Sequence, residues 1–169
     1  MEIMVVLAMH GSPPRDFPPD ELSEFFRLHA QLGHVPNKRQ QNLTERFLEL
    51  DSKMKSWPRT KENDPFFAGA QEMAQQLRKV TGYEVIVGFN EFCSPSLDKA
   101  IDQAVSQKVD KIIVITPMMT KGGEHSEIEI PKVINSSQNR YPDIEIIYAW
   151  PFKVSEVAEF LGAHIKRFI

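Results

Sequence analysis

Several things are scarce in this chain, and each shortage narrows what the chain does. There is one cysteine, Cys93, in 169 residues, so no internal disulfide is available and the sequence suits a reducing compartment. There is no excess of basic charge: 20 Lys and Arg stand against 23 Asp and Glu, for a formal net charge of −3. A global basic field to hold nucleic acid or an anionic membrane is therefore missing, and an anionic ligand must be gripped locally. Long apolar runs are missing too. Ile3-Met4-Val5-Val6-Leu7 is apolar, but no basic residue precedes it and His10-Gly11 follow at once. That is too short and wrongly flanked for a leader or a membrane span, so the expected location is the cytoplasm. No glycine-rich or serine-rich linker, internal repeat, phosphate loop or Gly-x-Ser-x-Gly elbow occurs. No arginine precedes His10-Gly11, as a histidine phosphatase signature requires.

What is present is an ordinary globular composition, 41% hydrophobic and 25% charged, enough for one domain over 1–169 with a single core. Four short runs rich in Val and Ile, at 3–9, 83–89, 111–117 and 144–150, read as strands covered on both faces. Helical spacing separates them: Phe66, Ala70, Met73, Leu77 and Val80; then Leu97, Ala100, Ile101 and Ala104 after Ser94-Pro95. Ile128, Ile130, Val133 and Ile134 form a looser set, and Val154, Val157, Leu161, Ile165 and Phe168 close the chain. Strands alternating with helices imply crossovers and a mainly parallel sheet. The expected fold is a three-layer α/β domain with a four-stranded sheet in the flavodoxin-like order 2-1-3-4 and helices on both faces. Residues 13–65 exceed any ordinary βα loop. They carry two helical patterns, one through Leu22, Phe25, Phe26 and His29, the other through Leu43, Phe47, Leu50, Met54 and Trp57. The segment reads as a folded helical insertion, either a lid or dimer surface over the strand ends or extra packing with no role there.

In an open parallel sheet, ligands bind beyond the carboxyl ends of the strands, where the strand order reverses. With strands one and three adjacent, His10-Gly11-Ser12 and the stretch from Thr116 to His125 meet at that point. Two imidazoles there suit a borderline divalent metal, and with an ordinary pKa of about 6.5 they also accept protons. The competing reading of His10 is a strand-end cap. Lys121 with the Gly122-Gly123 backbone suits an anion, although a plain turn explains two glycines equally. Glu91 is a third ligand or proton acceptor, or else a solvated carboxylate; Cys93 is a soft ligand or a small core residue. Met118, Met119, Trp150 and Pro151 suit core packing better than a wall for a flat ring. His29, His34 and His164 read as surface or packing residues.

These residues resemble the class II chelatases, most closely the small CbiX/SirB type. The chain has that family's His-Gly-Ser after strand one, as His10-Gly11-Ser12. Phe89-Asn90-Glu91-Phe92-Cys93-Ser94-Pro95-Ser96-Leu97 matches its motif after the next strand, and Gly123-Glu124-His125 is followed by Glu129-Ile130-Pro131. The resemblance covers roughly 1–12 and 66–150. It implies a chelatase that inserts cobalt, or else iron or nickel, into sirohydrochlorin or a related tetrapyrrole. His10 and His125 would hold the metal and take pyrrole protons, with Glu91 beside them. Ser12, Arg15, Lys121, Gly122 and Gly123 would contact the substrate's acidic side chains. No organic cofactor is implied, the metal being a substrate; a homodimer is. The chain departs from the pattern in the 13–65 segment, in Pro13-Pro14-Arg15-Asp16-Phe17 after the first motif, and in Ser94, where many members have a second acid. The alternative reading is a non-catalytic metal or tetrapyrrole carrier.

Overall fold

The computed structural model describes residues 1–32 and 41–169. Its strands are β1 (Ile3–Met9), β2 (Glu84–Phe89), β3 (Lys111–Ile115) and β4 (Glu145–Tyr148). The α-helices among the described residues are α1 (Pro19–Leu32), α2 (Gln41–Lys55), α3 (Pro65–Thr81), α4 (Leu97–Ser106), α5 (Ile130–Arg140) and α6 (Val154–Ile165). The sheet is four-stranded in the order β2-β1-β3-β4, and every pairing is parallel. Two strands stop short of the expected runs. β3 ends at Ile115 and β4 at Tyr148, before Pro117 and Pro151, which have no N–H to give a ladder.

Side-chain alternation along β1 divides the core into two layers. Met4, Val6 and Ala8 pack with Leu97, Ala100, Ile101 and Ala104 of α4 and Ile130 and Ile134 of α5. Val5, Leu7 and Met9 face the other way, onto Ala70 and Ala74 of α3. Helix α3 starts where sequence says it should: Asp64 accepts from the Phe67 N–H at 2.8 Å, and Pro65 occupies the first turn. The apolar set near the end of the chain does form a helix, α6, but none of its residues is buried. Phe160 is 59% and Leu161 50% exposed, and Ile147 on β4 is also exposed.

Between β1 and α3, helices α1 and α2 pair around a third core of Phe17, Phe25, Leu28, Leu50 and Met54, with Phe92 packed against it. Arg59 fastens this pair to the sheet. Its guanidinium donates to the Asp64 carboxylate (2.5 Å) and to the carbonyls of Met54 (2.8 Å), Ser12 (2.7 Å) and Phe92 (2.6 Å). Both charges are buried, Asp64 to 1% exposure, so the pair holds only because nearly every polar atom is answered.

Candidate metal centre

Register decides which residues emerge together. Met9 pairs with Phe89, and Leu7 with Ile115, so the segments following β1, β2 and β3 leave the same edge side by side. The first two keep touching beyond the strands: the Asn90 N–H donates to Met9 O and the Glu91 N–H to His10 O, both at 2.9 Å. Gly11 makes this approach workable. Its φ is +102°, and a Cβ there would lie 1.9 Å from the Glu91 carbonyl oxygen, a position open only to glycine. The glycine of the His-Gly-Ser motif thus brings His10 against the loop that carries Glu91. Phe92, next in that loop, takes a left-handed φ of 59°, uncommon for a bulky residue. Arg59 holds its carbonyl there, and its ring lies 6.2 Å from that of His10 and 6.0 Å from that of Phe25.

His125 opens a π-helical turn, His125–Glu129, that runs directly into α5. The Ile130 N–H reaches back to His125 O, and Tyr148 steadies the turn by donating its hydroxyl to Ser126 O at 3.1 Å. Single π turns recur at functional positions. Here the turn sets His125 edge to face against His10, with ring centroids 4.3 Å apart at 84°. One donor atom each from His10, His125 and Glu91 lies within 4.8 Å of the other two. Ligand–metal bonds of about 2.0–2.2 Å in tetrahedral geometry set donors about 3.3–3.6 Å apart, so rotamer adjustments that draw the donors together close the set. The hydrogen bonds of the rings engage one nitrogen of each. His10 Nδ1 lies 2.9 Å from Gly11 O, which only accepts, and His125 Nδ1 lies 2.5 Å from Glu129 Oε2. Each Nδ1 therefore carries the proton, and each Nε2 lone pair is left for a ligand or an incoming proton.

Other residues singled out from sequence fall less close. Ser12 serves through its carbonyl, which Arg59 binds. The Arg15 side chain is exposed, and its backbone N–H donates to Asn63 O. Lys121 is exposed on the loop after β3. The Gly122 N–H is already taken by the Glu127 carboxylate at 2.9 Å, so the turn's own acid occupies the donor that an outside anion would need. Trp150 donates to Met118 O at 2.9 Å, a packing contact. His29 is an exposed residue stacked on Phe25 and Phe47, and His164 is exposed on α6; His34 lies outside the described residues. Cys93 is buried, and burial pushes its thiol above the usual range, away from the thiolate a metal would need.

Two residues carry more than their motifs suggested. Glu129 orients His125, and the readable signal was a His and a Glu four apart, one turn along a helix. Arg59 had no local signal, because its partners are scattered through the chain. Two cavities adjoin Glu91. One, of about 470 Å³, is walled by residues including Glu91, Glu129 and Lys132; the other, of about 240 Å³, by Glu91 and the aromatic rings of Phe25, Phe26, Phe47 and Phe92. Neither His10 nor His125 is on their walls; Glu91 connects both to the centre, and Glu129 the larger one.

The chain is similar to known proteins over much of its length. A family model described as CbiX matches residues 63–167. A sirohydrochlorin cobaltochelatase of Priestia megaterium is 34% identical over 80 residues, 47% of this chain and 26% of that protein. A sirohydrochlorin ferrochelatase of the same organism is 30% identical over 70 residues, 41% of this chain and 26% of the relative. The chain thus spans about a quarter of the length of these two relatives. A crystal structure of a CbiX protein from Marinobacter aquaeolei VT8 shares the fold at a TM-score of 0.53 and 16% identity, over 98% of this chain and 95% of that one.

Proposed function

The chain belongs to the CbiX family, and from that premise we propose that it is a chelatase inserting a divalent metal into sirohydrochlorin or a related tetrapyrrole. The observation that carries the proposal is the convergence of one donor atom each from His10, His125 and Glu91 on one space. Insertion exchanges two pyrrole N–H protons for one divalent ion. It needs a site that holds the ion without saturating it, and bases beside the ring. Three protein donors leave coordination positions open for ring nitrogens. Imidazoles freed as the ion moves into the ring, or the Glu91 carboxylate, accept the protons, so the protein's contribution is placement plus proton acceptance. The Glu129 carboxylate holds the orientation of His125. Cobalt is the metal proposed, with iron and nickel the alternatives; the more similar of the two Priestia relatives bears the cobaltochelatase name.

The test follows the visible absorbance of sirohydrochlorin with Co²⁺, Fe²⁺ and Ni²⁺. The wild-type chain should accelerate insertion, with His10→Ala and His125→Ala each slower by about 100-fold or more. Wild-type rates in both variants would refute the assignment, and stoichiometric binding without acceleration would make the protein a carrier instead. The proposal extends to a homodimer in the cytoplasm. Support for the dimer comes from α6, whose Val154, Phe160, Leu161 and Ile165 are exposed among the described residues, and a buried free thiol agrees with a reducing compartment. No helix among the described residues is long and apolar enough to cross a membrane.

A further inference from the structure

The larger cavity beside the metal centre has a chemistry of its own. Glu91, one of the three donors, and Glu129, the partner of His125, stand on its wall. Whatever fills it therefore touches the residues that present the metal. On its α5 side, Lys132, Ser136 and Arg140 recur every four residues along one helix face. Most charges around it are spoken for: Glu129 by His125, Arg140 by Asp102 at 3.0 Å, and Asp98 by the Ser96 hydroxyl. Lys132 is the one cation on the wall with no hydrogen bond or ion pair among the described residues; the Glu91 carboxylate, left for the metal, is likewise unpaired. Asn90, also on the wall, has a buried Nδ2 that finds no acceptor among them, and an unmade buried donor is costly. An unpaired ammonium, an unanswered amide and a nearby hydroxyl together suit a carboxylate.

Resting on the chelatase reading, we propose that Lys132, supported by Asn90 and Ser136, grips a carboxylate side chain at the rim of the tetrapyrrole and so seats the ring over the metal centre. This assigns the anion-holding role to α5. The cations expected for it from sequence, Arg15 and Lys121, are on the wall of neither cavity that adjoins Glu91. The cavity's position makes the grip selective: a macrocycle anchored at Lys132 lies against Glu91, where pyrrole protons must leave.

The experiment uses the full chain and two porphyrin probes, the octacarboxylate uroporphyrin and the tetracarboxylate coproporphyrin, with binding read by fluorescence. Wild type should favour uroporphyrin. Lys132→Ala should weaken its binding about fivefold and Lys132→Glu about twentyfold or more, as expected for losing and then reversing one exposed charge. Lys132→Arg should stay within about twofold, and Co²⁺ affinity measured without porphyrin should be the same in all four proteins. In the insertion assay, the loss should appear in KM before kcat. Unchanged uroporphyrin binding in Lys132→Glu alongside normal insertion would overturn the carboxylate site and leave the chelatase reading standing. Lysine-dependent binding in a wild-type chain that inserts no metal would uphold the site and remove the chelatase reading.

Discussion

Single residues carry the site's geometry more than its chemistry. Imidazoles and carboxylates are common; what is rare is a backbone that lets two loops close to contact, and Gly11 supplies it. Replacing the motif's glycine therefore removes more than a turn, since it drives the Glu91 carbonyl, and with it the Glu91 side chain, away from His10. Glu129 works at the same scale through one hydrogen bond to His125. Glu129→Gln keeps an acceptor but removes its charge, and should weaken Co²⁺ binding by about 10–100-fold with little change in the unfolding midpoint. Calorimetric titration of the metal checks it; an affinity equal to wild type would mean that His125 is held by its backbone alone. The motif glycine was visible in the sequence, but the contact that demands it was not, because Glu91 lies on a different strand's loop.

At the scale of elements, periodicity shows which segments exist and the alternation of strands with helices implies a parallel sheet. The flavodoxin-like order 2-1-3-4 expected for such a sheet is the one observed, and that order puts His10 and His125 at neighbouring strand ends. Pairwise tertiary contacts leave no such trace. The ion pair of Arg59 with Asp64 joins the α1–α2 pair to both motif loops, yet no spacing announces it. The π-helical turn that carries His125 also leaves no sequence signal, since one extra residue in a helical turn barely alters an apolar pattern. Arg59→Met should destabilise the fold by about 3–5 kcal/mol, because it strands the buried Asp64 carboxylate. Urea denaturation measures that loss. The same variant should bind Co²⁺ more weakly, as Phe92 is no longer held; a stable protein with full affinity would show that α1 and α2 pack independently of the site.

For the molecule as a whole, the unfinished surface is at α6. An apolar helix without a buried residue is a liability in isolation, and a second copy is the occupant proposed above. Phe160→Glu combined with Leu161→Glu should move the protein from dimer to monomer in sedimentation velocity while leaving helical content unchanged. A wild-type chain that sediments as a monomer would refute the dimer. The three proposed metal donors are spread through the chain. His10, Glu91 and His125 issue from three separate strand–helix units, so an unfolded chain has no means of gathering them. Cobalt should then act as a thermodynamic clamp on the native state, adding about 2.7 kcal/mol at a free concentration 100 times its Kd. For a chain this long that is a rise in melting temperature of roughly 5–10 °C, absent from His125→Ala, so heat resistance itself becomes a gauge of site assembly.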